Sequence, residues 1–128
     1  MALSFLLRPR LCSLFLLLFM TSSLMAQKGL NNERMKKIME KEAAGVEGVD
    51  GAWQVLFRGH LLIVLTDETN NRMRIFTPVV EEERVGEEEM KEMLQANFHS
   101  ALDAKYSLYE GFVISVFTHP LKELTKVF

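Results

Sequence analysis

The fold is predicted by one stretch of the chain, WQVLFRGHLLIVLTDETNNRMRIFT at residues 53–77. It contains three runs of strand-forming residues separated by polar turns: Trp53–Phe57, Leu61–Leu65 and Arg72–Thr77. Arg58 and Gly59 are a typical two-residue hairpin turn, and the asparagines in residues 67–71 tolerate the positive φ that a second turn needs. We therefore predict three antiparallel strands joined by hairpins.

The faces of these strands predict an interaction surface. The second run is apolar on both faces, which is typical of a strand that is covered on both sides. In the third run, alternation places Arg72, Arg74 and Phe76 on one face. Because so short a chain has too few helices to cover two faces, we expect a protein partner or a homodimer. Arg72, Arg74 and Phe76 are the candidate partner-binding residues.

An amphipathic helix is predicted before the strands. Its apolar positions share one stripe: Met35, Ile38, Met39 and Ala43. Asn31 and Asn32 are candidate N-caps, and Gly45 is expected to end the helix. Glycines at positions 45, 48 and 51 predict a flexible link over residues 46–51.

A second amphipathic helix is predicted beyond Pro78, which is expected either to end the third strand or to mark it as an edge strand. Glutamates dominate residues 81–89, and the helix then carries an apolar stripe at helical spacing: Met90, Met93, Leu94, Asn97, Phe98, Ala101 and Leu102. Asn97 is the polar residue on that stripe. We interpret it as a buried structural residue whose amide hydrogen-bonds a neighbouring backbone group.

The C-terminal part predicts two strands, Tyr106–Tyr109 and Phe112–Thr118, and a short closing helix after Pro120 that carries Leu121 and Leu124. The predicted class is α+β, in the order α-β-β-β-α-β-β-α, with an antiparallel sheet packed by helices. Residues 27–51 supply the N-terminal helix and the link. Residues 52–128 supply the sheet and the other helices of the same domain.

The first 26 residues are typical of a secretory signal peptide. Arg8 and Arg10 precede an apolar run at 11–20, and small polar residues lead to Ala26, after which we predict cleavage. The alternative is an uncleaved membrane anchor, but the apolar stretch is shorter than the roughly 17–20 residues of a spanning helix. We expect a secreted, periplasmic or envelope protein that has no membrane contact after cleavage.

Composition limits the chemistry. The chain has 128 residues, a net charge of −2 and a single cysteine, Cys12, inside the predicted signal peptide. The length is that of one domain, and the slightly negative net charge does not indicate nucleic-acid binding. After cleavage there is no disulfide, no thiolate metal site and no cysteine nucleophile. Phosphate-binding glycine loops, dinucleotide fingerprints and nucleophile elbows are missing from the sequence, so we predict no cofactor and no small-molecule substrate.

Two groups of residues allow a chemical interpretation. His99, Asp103 and His119 are the best candidate metal or acid–base set, because His99 and Asp103 are four residues apart on the predicted helix. The favoured interpretation is a surface ion pair without metal. Arg72 and Arg74 could hold a carboxylate or phosphate, but pairing with the nearby glutamates is favoured.

Four short sequence segments in the second half of the chain resemble type III secretion chaperones (the Tir-chaperone-like class) and the related YbjN-like domains. They are RMRI at 72–75 followed by TP at 77–78, LQANFH at 94–99, ALDAKY at 101–106, and HPL at 119–121 with LT at 124–125. The resemblance covers roughly residues 50–125 and implies an often dimeric binding module without catalytic residues. In secretion chaperones, apolar patches hold an extended client segment. Those chaperones are cytosolic and have a longer last helix, so we expect a chaperone-like fold with another partner.

The predicted function is therefore an exported, non-enzymatic protein-binding module that binds a partner or itself through apolar sheet or helix surfaces. One alternative is a small envelope metal-binding protein or hydrolase that uses His99, Asp103 and His119. Another is a membrane-tethered accessory domain.

Overall fold

The structure, a computed structural model, describes residues 29–124. The described elements follow in chain order: α1 (Asn32–Glu42), β1 (Gly45–Val49), β2 (Ala52–Phe57), β3 (His60–Asp67), β4 (Arg72–Glu81), a 3-10 turn (Glu82–Arg84), α2 (Glu87–His99), β5 (Lys105–Tyr109) and β6 (Phe112–His119). The predicted signal peptide and residues 125–128 lie outside the described residues. The six described strands form one open antiparallel sheet in the order β1-β2-β3-β4-β6-β5. The predicted α+β class with an antiparallel sheet is confirmed.

Two hairpins have the same turn geometry. Arg58 and Gly59 have φ values of 50° and 82°, and Glu110 and Gly111 have φ values of 50° and 80°. Positive φ at both turn positions matches the right-handed twist of the flanking strands. These turns set the registers in which Phe57 pairs with His60 and Tyr109 pairs with Phe112.

The predicted flexible link is a strand. β1 pairs along its whole length with β2, and Val46 lies opposite Val55. Its glycines serve the close pairing: Gly48 has a φ of 128°, and a Cβ at this position would lie 2.3 Å from the Ala52 carbonyl oxygen. Glycine spacing therefore indicated backbone geometry here, and not flexibility.

The third predicted strand extends beyond Pro78. β4 continues to Glu81, and its register with β6 shifts between Pro78 and Val80. A bulge leaves one residue unpaired, which is how a strand accommodates proline, a residue that cannot donate to the ladder.

The predicted closing helix is wrong over its described part, because residues 121–123 form a turn. Asn71 holds this turn. Its Oδ1 accepts a hydrogen bond from the Lys122 N–H at 2.7 Å, and its carbonyl accepts one from the Leu121 N–H at 3.4 Å. Leu121 is completely buried. Tertiary contacts therefore fix these residues without a helix.

The hydrophobic core lies on one side of the sheet. Trp53, Val64 and Ile75 are consecutive cross-strand partners on this side, which we call the core face. The buried cluster on it joins both helix and sheet: Met35, Met39, Trp53, Val55, Val64, Met73 and Leu121. α1 supplies the first two of these residues, and its N-cap is Asn31, whose side chain accepts from the Arg34 N–H at 3.0 Å. Burial of each large apolar side chain contributes about 1.5–3 kcal/mol.

α2 lies beside β5, at one edge of the sheet. It begins after Gly86, whose N–H donates to the Glu89 carboxylate at 2.8 Å. The helix ends at His99, before the predicted Ala101 and Leu102, and none of its residues is buried. Part of its apolar stripe is therefore in solvent, with Leu94 64% and Phe98 85% exposed, whereas Met90 and Met93 are half-buried.

Candidate functional site

The face of the sheet opposite the core face, which we call the open face, has an apolar centre. Cross-strand pairing places Phe76 between Ile63 and Val116, and Arg74 between Leu65 and Thr118. Among the described residues, the buried side chains on this face are those of Phe76 and Ile114. The described core cluster contains no open-face residue. The open face therefore differs from the core face in lacking helix packing within the described part of the chain.

Large side chains on the open face remain exposed. Leu56, Leu61, Tyr109 and Phe112 are each between 40% and 47% exposed. Tyr109 also packs edge-on against Phe76, with ring centroids 5.4 Å apart. Leu56 pairs with Leu61, and Tyr109 pairs with Phe112. Exposed apolar side chains grouped on one face in this way indicate an interaction surface.

The structure places the three candidate partner-binding residues together on this face. Phe76 is buried by its neighbours, whereas Arg72 and Arg74 are exposed. A surface pocket of about 200 Å³ beside Leu65 is lined by Arg72, Arg74 and Asp67. It can receive a side chain, and its cationic groups suit a carboxylate.

The two arginines have different surroundings. Arg72 lies opposite Asp67, whose pKa is lowered first by hydrogen bonds from Asn70 and, to a smaller extent, by the positive charge of Arg72. Arg74 makes no ion pair with a described residue. The predicted pairing of the arginines with the glutamates is not found within residues 29–124.

The glutamates lie at the other end of β4 and in the turn and helix that follow it, and they make local contacts. Glu81 is 3.9 Å from Arg84, and Glu88 is 3.6 Å from Lys91. These ion pairs are exposed, so each contributes little to folding. Proximity in the sequence was misleading, because an extended strand separates residues much farther than a loop does.

Asn97 connects α2 to the outer edge of the sheet. Its Nδ2 donates to the Tyr106 carbonyl at 3.0 Å, and its Oδ1 accepts from the Tyr106 N–H at 2.7 Å. The side chain is half-buried, less than the sequence predicted. Lys105 adds a second link, since its Nζ donates to the Asn97 carbonyl at 2.8 Å and also to the Ala101 carbonyl.

The structure does not bring the candidate metal set together. Asp103 lies beyond the end of α2, so the predicted helical spacing from His99 does not exist. His99 packs against Phe98, while His119 stacks on Phe117 and has its Nδ1 2.8 Å from the Pro120 carbonyl. Residues 29–124 contain no cluster of three or more His, Cys, Asp or Glu side chains that could hold a metal.

Two residues of the open face were missed in the sequence. Leu56 and Tyr109 were assigned to strands but not to a surface. The signal that could have found them is register, because the two-residue turns determine which residues lie opposite each other.

The open-sheet architecture is similar to that of a chain in a solved structure, the HopA1-SchA chaperone-effector complex. The two share 13% identity with a TM-score of 0.52, over 73% of this chain and 80% of that chain. This likeness supports a fold like that of a chain in a chaperone-effector complex, and it gives no support for the YbjN-like domains in particular. No family model and no curated protein matches the sequence.

Within residues 29–124, no helix is long and apolar enough to cross a membrane.

Proposed function

We propose that this chain is an exported, non-enzymatic protein-binding module whose open face binds a polypeptide partner or a second copy of the chain. The observation that carries the proposal is the group of exposed large side chains on the open face, around the buried Phe76 and Ile114. Association would remove apolar surface from water, which is the main favourable term in most protein–protein binding.

Two further points support the proposal. The fold is similar to that of a chain in a chaperone-effector complex, which is an assembly of proteins. The sequence segments within 72–78, 94–99, 101–106 and 119–125 resemble type III secretion chaperones and YbjN-like domains, whose members bind proteins. Export rests on the signal-peptide pattern of residues 1–26, with its basic start and apolar run.

The test is site-specific photo-crosslinking in cells that express the full chain. A photoreactive residue at Leu56, Leu61 or Phe112 samples the open face, and one at Lys36 or Glu40 samples the solvent side of α1. We expect all three open-face positions to give the same adduct, identified by mass spectrometry as this chain or as one partner, with little adduct from α1.

A second set of variants makes the test quantitative. Leu61→Lys and Phe112→Lys place a charge on the open face and should abolish crosslinking from Leu56. Lys36→Glu, on α1, should leave it unchanged. Equal adducts from α1 and the open face, or none from the open face, would contradict the proposed function.

Export is tested separately by the intact mass of the purified chain. We expect the mass of a chain that begins at Gln27. A mass that retains residues 1–26 would favour the membrane-tethered alternative.

A further inference from the structure

Opposite charges flank the centre of the open face along β4. Arg74 lies toward one end, opposite Thr118, and Glu81 lies at the other end, opposite Phe112. Pro78 is between them and pairs with Ile114, two residues from Phe112 on the same strand. Residues two apart on a strand share a face, so Arg74 and Pro78, which are four apart, both lie on the open face. Pro78 and Glu81 are three apart, but the bulge between them adds one unpaired residue, so Glu81 lies on the open face as well.

These two charges cannot pair within one chain. Their partners on β6, Thr118 and Phe112, are six residues apart, which is about 20 Å at roughly 3.3 Å per residue. Salt screens charges beyond about 8–10 Å at physiological ionic strength. Arg74 has no ion pair among the described residues, and Glu81 has only its long contact to Arg84 there. Both charges are available to another molecule.

The surface between the charges is apolar. Pro78 is exposed between the two charges, four residues from Arg74 and three from Glu81, with the buried Ile114 as its neighbour on β6. Leu61 lies on β3, on the side of β4 away from β6, and its carbonyl accepts a hydrogen bond from the Thr77 hydroxyl at 2.8 Å. Positive, apolar and negative regions therefore follow one another along β4.

We propose that two copies of this chain associate through their open faces about a two-fold axis that passes near Pro78, with their β4 strands antiparallel. This inference rests on the proposed function and specifies the partner. The axis exchanges the two ends of β4, so Arg74 of each copy faces Glu81 of the other, and the apolar centres pack together. Paired sheets lie about 10 Å apart, and their strand directions differ by no more than about 30°. An arginine side chain is long enough to reach across this distance.

Self-complementarity favours a second copy over an unrelated partner. A two-fold interface uses the same patch twice, so its charges must be complementary to themselves under rotation. Opposite charges on either side of an apolar centre meet this condition. An unrelated partner would require only a complementary surface of its own and would place no such condition on this chain.

The test is a charge swap, measured as the dimer dissociation constant by sedimentation equilibrium of the purified full chain. Arg74→Glu places two carboxylates opposite each other at both contacts, and Glu81→Lys likewise opposes two cations. We expect each single variant to weaken the dimer by about tenfold or more. The double variant Arg74→Glu, Glu81→Lys re-forms both contacts with reversed signs, so its dissociation constant should return to within about threefold of the unmodified chain.

Control variants on α1 carry the same changes in net charge. Lys36→Glu and Glu40→Lys are exposed and lie on the helix that packs against the core face. We expect both to leave dimerisation unchanged. Raising the salt concentration should weaken the dimer of the unmodified chain and of the double variant alike.

The outcomes separate this inference from the proposed function. Rescue by the double variant supports the dimer. A dimer that is insensitive to both single variants overturns it and indicates another surface, such as the Leu94 and Phe98 stripe. A monomer whose open face crosslinks to a different protein overturns the dimer but leaves the proposed function intact. A monomer without open-face adducts overturns both.

Discussion

The side chain of Asn97 takes the place of a neighbouring strand for Tyr106. It donates to the Tyr106 carbonyl at 3.0 Å and accepts from the Tyr106 N–H at 2.7 Å. These are the two groups that an additional strand would pair with at the edge of β5. Asn97 therefore attaches α2 to the sheet and also protects an edge that could otherwise pair with another chain.

Asn97→Ala should destabilise the fold by about 1–2 kcal/mol, because two hydrogen bonds are lost at a half-buried position. It should also increase aggregation, since the β5 edge becomes free. Denaturant unfolding followed by the fluorescence of Trp53, the single tryptophan, measures the first effect. Ser100→Ala is the control: its exposed hydroxyl donates to Ala96 at 3.3 Å, and we expect a change within about 0.5 kcal/mol. Equal stability of both variants would contradict the role assigned to Asn97.

Gly48→Ala should destabilise the chain by about 1–3 kcal/mol or more, because φ is 128° and the new Cβ would clash with the Ala52 carbonyl. Amide exchange should show faster opening of β1. Gly45→Ala is the matched control, since a Cβ there has ordinary contact at 4.0 Å with Leu56, and its effect should stay within about 0.5 kcal/mol. If both variants behave alike, residues 46–51 are the flexible link that the glycine spacing predicted.

Three of the strands were predicted correctly because residue alternation and turn residues are visible in a short stretch of sequence. The alternation in Arg72–Thr77 and the turn at Arg58 and Gly59 need no information from the rest of the chain, and β2, β3 and β4 are found there. The placement of Arg72, Arg74 and Phe76 on one face follows from the same two-residue period. These residues became part of the candidate site because the face they share has no described helix on it.

The errors concern interactions between distant residues. β1 is held by its pairing with β2, which makes its glycines part of a ladder. Leu121 is held by Asn71, fifty positions earlier, and needs no helix. The stripe on α2 has the period of a core-facing helix, yet Phe98 is exposed because Asn97, one residue away, attaches the helix at the sheet edge. A period shows which face is apolar, but not whether anything covers it.

Tyr109 should titrate above its ordinary range, because a hydrogen bond to Glu110 and the negative charge of that carboxylate both raise its pKa. A raised pKa in the folded state means that this group's contribution to stability is present below pH 10 and is lost as the pH rises through the folded value. Phenolate absorbance measures it, and Tyr106→Phe removes the only other tyrosine. Glu110→Gln in that background should lower the pKa of Tyr109. An unchanged titration would show that Glu110 does not act on the phenol.

Leu121 and Leu102 form a matched pair for the last prediction, since Leu121 is completely buried and Leu102 is 88% exposed. Leu121→Ala removes a side chain that packs in the core cluster with Trp53 and Met73, and should destabilise the chain by about 2–5 kcal/mol. Leu102→Ala deletes the same atoms from solvent and should change stability by no more than about 0.5 kcal/mol. Both values come from denaturant unfolding of the monomeric state at low concentration. A large loss for Leu102→Ala under those conditions would mean that the residues after α2 are packed within the chain, and the apolar surface near that helix would then not be available to a partner.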